Sequence, residues 1–467
     1  MNSISSQSHS HHVVLFPFMA KGHTIPILYF ARLLLRRPSI SVTVFTTPAN
    51  RHFISEFLAD TTASIIDLPF PQNIPEIPPG IETTHKLPSM SLFPSFALAT
   101  QLIQKDFERA LQILPRVSFL VSDVFLWWTL ESANKFNIPR FVFYGTCKYS
   151  VCVERSVTWN GLLVGPGSDD ELITVPGFPW IKVTRRDFDE PKGSEVDLMK
   201  AVVSSVANSY GFILNSFYEL EHVFVDYWNS HYGPKAWCVG PFCLADPQRV
   251  NRPEEPQEKT TWKQWLDHKI DQGGSVLYIA FGTHAEISIE QIKEIAIGLE
   301  KSGVNFLWVI RNIEAELGQG FEERVKERGI VVRDWVDQRE ILEHESVQGF
   351  LSHCGWNSVL ESVCAGVPIL AWPVMAEQPL TARMVVEEMK VGLRVETCDG
   401  SVRGFVKWEG LKKMVKELME GEMGKEVRNN VKVIADMAKK AMEENNGSSW
   451  CTLDLLLDET SQSQRVY

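Results

Sequence analysis

Short apolar runs alternate with stretches of helical apolar spacing, twice over, and this alternation constrains the fold of the chain more than any other feature of its sequence. In the first block residues 13–18 are an apolar run, Lys21-Gly22-His23-Thr24 is a polar turn, and residues 25–35 carry a helical period. The same order returns at 41–45 with 50–58, at 119–122 with 129–136, and at 140–144. A second series runs through 275–282, 305–310, 330–332, 347–351 and 368–371, most of these runs trailed by a helical pattern. Strands that alternate with helices form a parallel, doubly wound sheet, so an α/β chain with two Rossmann-like sheets is expected.

The length of 467 residues agrees, because it exceeds the usual domain size of about 100 to 200 residues. Residues 246–261, reading DPQRVNRPEEPQEKTT, are charged, contain proline and lack an apolar face, and the interdomain linker is placed there. The expected division is residues 1–245 as a first Rossmann-like domain, 246–261 as linker, 262–445 as a second Rossmann-like domain, and 446–467 as a terminal helix and tail that packs back on the first. Ligands of open α/β sheets bind beyond the carboxyl ends of the strands, so a cleft lined by those loops is expected. Residues 69–94 are rich in proline and aperiodic, which marks a functional surface loop.

Composition narrows the function. Hydrophobic residues at 44% against 22% charged exclude a disordered chain, and a formal net charge of −12 leaves no basic footprint for nucleic acid or anionic lipid. The eight cysteines are dispersed without a C-x-x-C, so reduced thiols in a cytoplasmic protein are expected. No basic, apolar leader precedes residue 13, and stretches such as 119–130 and 366–376 are too short or too charged to cross about 30 Å of hydrocarbon. His9, His11 and His12 read as a polar tail without a Cys or carboxylate partner, so no metal site is expected there. The expectation is a monomer that binds small molecules.

The densest chemistry lies in residues 335–378, WVDQREILEHESVQGFLSHCGWNSVLESVCAGVPILAWPVMAEQ. The cluster Ser352-His353-Cys354-Gly355-Trp356-Asn357-Ser358 follows a strand and precedes a helix carrying Glu361. First-turn backbone N–H groups and the positive helix end meet at that loop and favour an anion such as a phosphate. Singly, Asn357 or Ser358 is more often an N-cap and His353 a satisfied core histidine.

Together these residues resemble the carboxyl-proximal signature box of the plant small-molecule UDP-glycosyltransferases of family 1, end to end without insertion, and residues 13–457 follow that family's layout. The resemblance implies the GT-B fold, two Rossmann-like domains facing across a cleft, and a UDP-sugar held mainly by the second. It implies that Trp335, with Val336 beside it, stacks on the uracil, that Gln338 and Glu361 bond the ribose hydroxyls, and that His353, Asn357 and Ser358 hold the diphosphate. Thr283, in Phe281-Gly282-Thr283, resembles the family's hydroxyl residue near the β-phosphate. Glu377 and Gln378 match positions that bond the sugar, with Trp356 close to it, and Gln in the last place resembles the glucose-using members. UDP-glucose is therefore the expected donor, with no further cofactor. Each role is chemically sound: an indole face supplies stacking of about 1 to 3 kcal/mol per base, and a carboxylate is a bidentate acceptor for a diol. Without the box, Glu377-Gln378 reads as a solvated helix start.

His23, after the first strand, resembles the family's catalytic histidine, and Asp123 ends another strand of the same sheet. An imidazole with an ordinary pKa near about 6.5 accepts a proton at neutral pH, and a carboxylate behind it fixes the tautomer. The plainer reading is a turn at Gly22-His23 and a helix cap at Asp123. Met19, Leu92, Phe93 and Tyr144, with His284, are candidates for acceptor contact. Asp187-Phe188-Asp189 has the D-x-D form of a metal-diphosphate site, but it lies far in sequence from the phosphate loop and reads as surface. Asp337 and Gln348 depart from the commonest pattern of the box at places without a donor role, and His284 stands where another polar residue is more usual. The expected activity is an inverting, metal-independent glucosyl transfer to a hydroxyl of a small lipophilic acceptor such as a flavonoid or phenol. A noncatalytic UDP-sugar sensor and attack by an aromatic carbon are the alternatives, and a nicotinamide oxidoreductase lacks its G-x-G-x-x-G.

Overall fold

The computed structural model describes residues 11–245, 261–310 and 317–463. The expected linker therefore lies outside the described residues except for Thr261, as does His9. In chain order the strands are β1 (His11–Phe16), β2 (Ile40–Thr46), β3 (Ser64–Asp67), β4 (Phe119–Asp123), β5 (Arg140–Phe143), β6 (Ile173–Val175), β7 (Phe178–Val183), β8 (Gly211–Leu214), β9 (Lys235–Cys238), β10 (Val276–Ala280), β11 (Asn305–Val309), β12 (Gly329–Val332), β13 (Val347–Ser352), β14 (Ile369–Ala371) and β15 (Gly392–Arg394).

One parallel sheet has the order β3-β2-β1-β4-β5-β8-β9. A second has the order β12-β11-β10-β13-β14-β15, also parallel throughout. The strands β6 and β7 pair with each other as an antiparallel hairpin. Helices cover the sheets, so central strands such as β1, β4 and β10 are buried along their whole length and read as continuous apolar runs. In the first sheet the strand order reverses between β1 and β4, and in the second between β10 and β13. These are the topological switch points, where loops diverge and leave a crevice outside the strand ends.

The chain divides into two compact units by packing, the described residues of Met1–Gly145, Glu190–Val250 and Lys440–Tyr467 forming one, and those of Thr146–Asp189 and Asn251–Lys439 the other. The segment from Thr146 to Asp189 thus groups with the second sheet, although the sequence places it within the first domain. The reason is local packing: the helix Lys148–Trp159 lies against the helix Gln378–Arg383, with Ser150 Oγ 3.3 Å from Thr381 Oγ1. The terminal helix Ser448–Ser463 belongs to the first unit, where Ser449 donates to the Gly240 carbonyl and the Arg37 guanidinium lies 3.8 Å from the Trp450 ring centroid.

The first strand begins two residues earlier than the apolar run suggests. His11 and His12 are not a solvated tail; both are buried in β1, where His12 Nε2 lies 2.8 Å from Thr43 Oγ1 and His11 Nε2 lies 3.2 Å from Ser461 Oγ. Strand pairing and these ring contacts offset part of the loss of water, the buried His11 Nδ1 meeting no hydrogen-bond partner among the described residues.

Candidate active site

Each unit carries one polar cluster at the switch point of its own sheet. In the first unit β1 ends at Phe16, and the chain turns through Phe18–Ala20 into the helix Lys21–Leu35, with the His23 N–H donating to the Ala20 carbonyl. Its neighbour β4 ends on Asp123. His23 Nδ1 lies 2.7 Å from Asp123 Oδ2, with the imidazole 24% exposed and the carboxylate fully buried. Asp123 Oδ1 accepts the Phe125 N–H at 3.0 Å, which fixes the carboxylate from its other side. An ionised carboxylate only accepts, so the ring proton sits on Nδ1 and the lone pair on Nε2.

Aromatic rings surround this pair. Phe18 and Phe125 lie 6.0 and 5.6 Å from the His23 ring, and Phe93 lies 4.9 Å from Phe125 and 5.7 Å from Phe18. Phe93 therefore belongs to the group around the histidine. Met19 is buried, and its carbonyl accepts the Thr84 N–H, tying the proline-rich loop to the turn that precedes His23. Leu92 is half-buried beside Phe93, and Tyr144 is half-buried with its ring 6.2 Å from Phe212. Behind Asp123, buried Arg140 donates to Ser122, Ser205 and Ser209 and lies 3.4 Å from the Asp123 carbonyl. Burial pushes this guanidinium down to about 9, against the opposing pull of Asp123, so it stays charged at neutral pH. The sequence reading missed Phe18, Phe125 and Arg140. The Phe125 position two residues after Asp123 was its only local signal, because the other contacts join distant strands.

In the second unit β10 leads into a turn at Gly282, Thr283 and His284, the last two half-buried. Its neighbour β13 leads into Cys354, which adopts φ +64°, and then into the helix Trp356–Cys364. The His353 ring is held between two glycines: a Cβ on Gly282 would lie 2.7 Å from its Nε2, and one on Gly355 would lie 2.6 Å away. Burial pushes this imidazole down to about 4, with a smaller opposing effect of the Ala280 backbone, so it is neutral under physiological conditions. Helical bonding begins at Val359 N–H to the Gly355 carbonyl, which leaves the amides of the first turn pointing along the axis toward the loop.

Gln338 connects the other members of the box. Its Oε1 accepts from the Tyr278 hydroxyl at 3.3 Å, and its Nε2 donates to Ser358 Oγ at 2.9 Å and Glu361 Oε2 at 2.7 Å. Both amide hydrogens are thus spent, and a second lone pair on Oε1 remains for a hydroxyl donor. Desolvation pushes the half-buried Glu361 carboxyl up to about 7, although the Gln338 bond acts the other way. Asp337, one of the departures from the commonest box, caps the helix Gln338–Leu342 through a bond from Arg339 N–H at 3.1 Å.

Trp335 is 48% exposed, an unusual state for an indole and the one that base stacking needs. Val336 is half-buried and packs against the core, and Trp356 is 1% exposed. Asn357 is half-buried in the first turn of its helix. Glu377 and Gln378 do start a helix, Gln378–Arg383, and Gln378 Oε1 accepts the N–H groups of Val374 and Met375 at 3.0 Å each. The amide nitrogen of Gln378 is therefore the part that can meet a sugar oxygen.

The D-x-D pair is surface only at Asp189, which is exposed, and not at Asp187. Asp187 is buried and meets Arg383 at 2.9 and 3.1 Å, while Asp189 accepts the Ala376 N–H at 2.8 Å. No group of His, Cys, Asp and Glu side chains with metal-holding geometry occurs among the described residues, nor a helix long and apolar enough to cross a membrane.

Comparison with known proteins shows the family and the fold. Residues 252–439 match the family described as UDP-glucoronosyl and UDP-glucosyl transferase. Over its length the chain is 58% identical to UDP-glycosyltransferase 90A1 of Arabidopsis thaliana, covering 99% of this chain and 98% of that one. It is 38% identical to the scopoletin glucosyltransferase of Nicotiana tabacum, covering 96% and 98%. Among solved structures, Phytolacca americana UGT2 complexed with UDP-2fluoro-glucose and pterostilbene superposes with a TM-score of 0.80 at 29% identity, covering 97% of this chain and all of that one.

Proposed function

This chain belongs to the plant UDP-glycosyltransferases, glycosyl-transferring enzymes of GT-B fold, and from that premise we propose that it moves glucose from UDP-glucose to a hydroxyl of a small aromatic acceptor. The observation that carries the reading is the His23–Asp123 pair at the switch point of the first sheet. A protein that only sensed a UDP-sugar has no use for an imidazole whose tautomer is fixed by a buried carboxylate.

In the proposed reaction His23 Nε2 takes the proton of the acceptor hydroxyl as its oxygen attacks the anomeric carbon and the bond to UDP breaks. A single displacement inverts an α-linked donor to a β-glucoside. Asp123 stabilises the imidazolium that forms, as a buried anion at 2.7 Å should. The negative charge developing on UDP is met by Thr283, His353, Asn357, Ser358 and the first-turn amides of the helix Trp356–Cys364, and the proposal needs no divalent ion. Glucose is favoured by Gln378, as in the glucose-using members it resembles, by the glucose donor analogue bound to Phytolacca americana UGT2, and by the similarity to a scopoletin glucosyltransferase. The aromatic group of Phe18, Phe93 and Phe125 suits a flat, phenolic acceptor. None of the eight cysteines forms a disulfide, which suits a reducing compartment, and we place the reaction in the cytoplasm.

The test is UDP release from UDP-glucose with a flavonol, in the presence of EDTA, followed by fragmentation of the product to identify an O-linked hexose. Tight UDP-glucose binding without release, across a panel of phenols, would instead identify a sensor.

A further inference from the structure

We propose that Asp189 is a positioning residue for the sugar-recognising pair Glu377–Gln378, acting through the turn at Ala376; this rests on the donor reading above. The D-x-D carboxylates stand two residues apart at the end of the segment Thr146–Asp189 and grip both ends of one short helix.

At its far end, Asp187 meets Arg383 with both oxygens, at 3.1 Å to Nε and 2.9 Å to Nη2. Asp187 is itself fixed, because its Oδ2 also accepts the N–H and hydroxyl of Thr184. At the near end, Ala376 adopts φ +53°, in the left-handed region that a residue with a Cβ avoids unless its surroundings hold it there. Its N–H donates to Asp189 Oδ2 at 2.8 Å, and its carbonyl accepts from Arg403 Nη2 at 3.2 Å. Arg403 Nη1 donates in turn to Asp189 Oδ1, which closes a ring of three residues distant in sequence.

Both backbone polar groups of Ala376, the left-handed residue before Glu377, are therefore bonded to side chains from elsewhere in the chain. The Gln378 oxygen is spent on Val374 and Met375, so the loop is fixed on both sides of the pair. Sugar hydroxyls are told apart by direction as well as distance, and a turn free to relax toward ordinary φ would carry Glu377 and Gln378 off those directions. Asp189 touches none of the residues assigned to the uracil, ribose or diphosphate, so its loss should be felt by the hexose alone.

The experiment measures turnover with UDP-glucose and UDP-galactose against a flavonol, UDP affinity by calorimetry, and amide exchange over residues 374–378, for wild type, Asp189→Ala, Asp189→Asn and Arg403→Gln. Asp189→Ala should raise the KM for UDP-glucose by about tenfold or more and narrow the preference for glucose over galactose, with UDP affinity unchanged and exchange over 374–378 accelerated. Asp189→Asn, which keeps an oxygen for the Ala376 N–H, should recover much of the loss, and Arg403→Gln should repeat the split if Asp189→Ala folds poorly. Unaltered donor KM and sugar preference in folded variants would overturn the proposal, as would a parallel weakening of UDP, since that reports a general loss of the site. Wild type that binds UDP yet turns over no UDP-sugar would overturn the donor reading itself, whatever the variants do.

Discussion

His23 Nδ1 and Asp123 Oδ2 lie 2.7 Å apart although 100 residues separate them in the chain. Neighbouring strands bring them there: β1 pairs with β4 in parallel, Phe16 opposite Ser122, Asp123 is the next residue of β4, and His23 lies in the first turn of the helix that follows β1. The carboxylate is fully buried and the imidazole 24% exposed, so the bond between them holds the ring by its Nδ1.

Replacing His23 by Ala should lower turnover by roughly 10² to 10⁴, the usual worth of a positioned general base. UDP affinity should stay as in wild type, because the residues proposed to hold the donor belong to the other unit. Steady-state rates with calorimetry on the same protein check both halves, and undiminished turnover rejects the base assignment.

Asp123→Asn preserves shape but can present an N–H to Nδ1, which would move the ring proton to Nε2 and block the base. Turnover should fall by on the order of 10² or more with little change in acceptor KM. If the fall is severalfold only, Asp123 serves folding rather than chemistry.

Trp335→Ala removes an exposed indole without opening a core cavity, so the protein should keep its melting temperature. UDP affinity should weaken by roughly 5- to 150-fold, which corresponds to stacking of about 1 to 3 kcal/mol. Thermal melts and UDP titration separate the two quantities.

Gly355→Ala would force a methyl group to within 2.6 Å of His353 Nε2. The ring must move, so UDP binding should be lost from a protein that still folds, as judged by circular dichroism. Retained affinity would show that His353 does not hold the diphosphate.

The Glu361 carboxyl, raised to about 7, gives a pH dependence of known sign. A carboxyl protonated more readily in the folded than the unfolded chain stabilises the fold below its unfolded pKa, and this contribution is lost as pH rises through about 7. On the proposed donor reading binding runs the other way, because the ionised carboxylate accepts from both hydroxyls of a ribose diol. Affinity for UDP-glucose should therefore rise between pH 6 and 8, by at most about tenfold per unit, and level off above. Glu361→Gln should bind more weakly with a flat profile, read by calorimetry across that range.

Much of the fold was legible because a buried parallel strand announces itself locally: every apolar run singled out in the two blocks corresponds to a strand, within about two residues at the ends. Strands β3, β8, β9 and β15 were missed, and so was the hairpin of β6 and β7, whose exposed Pro179, Trp180 and Lys182 break the apolar run. The donor box was legible for a related reason: the chain passes from β13 through one turn into one helix, and residues from His353 to Glu361 stay neighbours without help from distant segments.

The two carboxylates of the D-x-D show where local pattern stops. Their spacing is that of a metal-diphosphate site or of an ordinary solvated loop, and nothing near them in the chain decides between these. Burial against Arg383 and the bond to Ala376 make them anchors of a turn nearly two hundred residues away. Strand, turn and helix types, and the chemistry of the box, follow from residues close in sequence, since backbone periods and helix ends are short-range properties. The partners of His23, of Asp187 and of Asp189 follow from strand order and helix packing, which bring remote segments within hydrogen-bond reach and leave no local mark in the residues that meet.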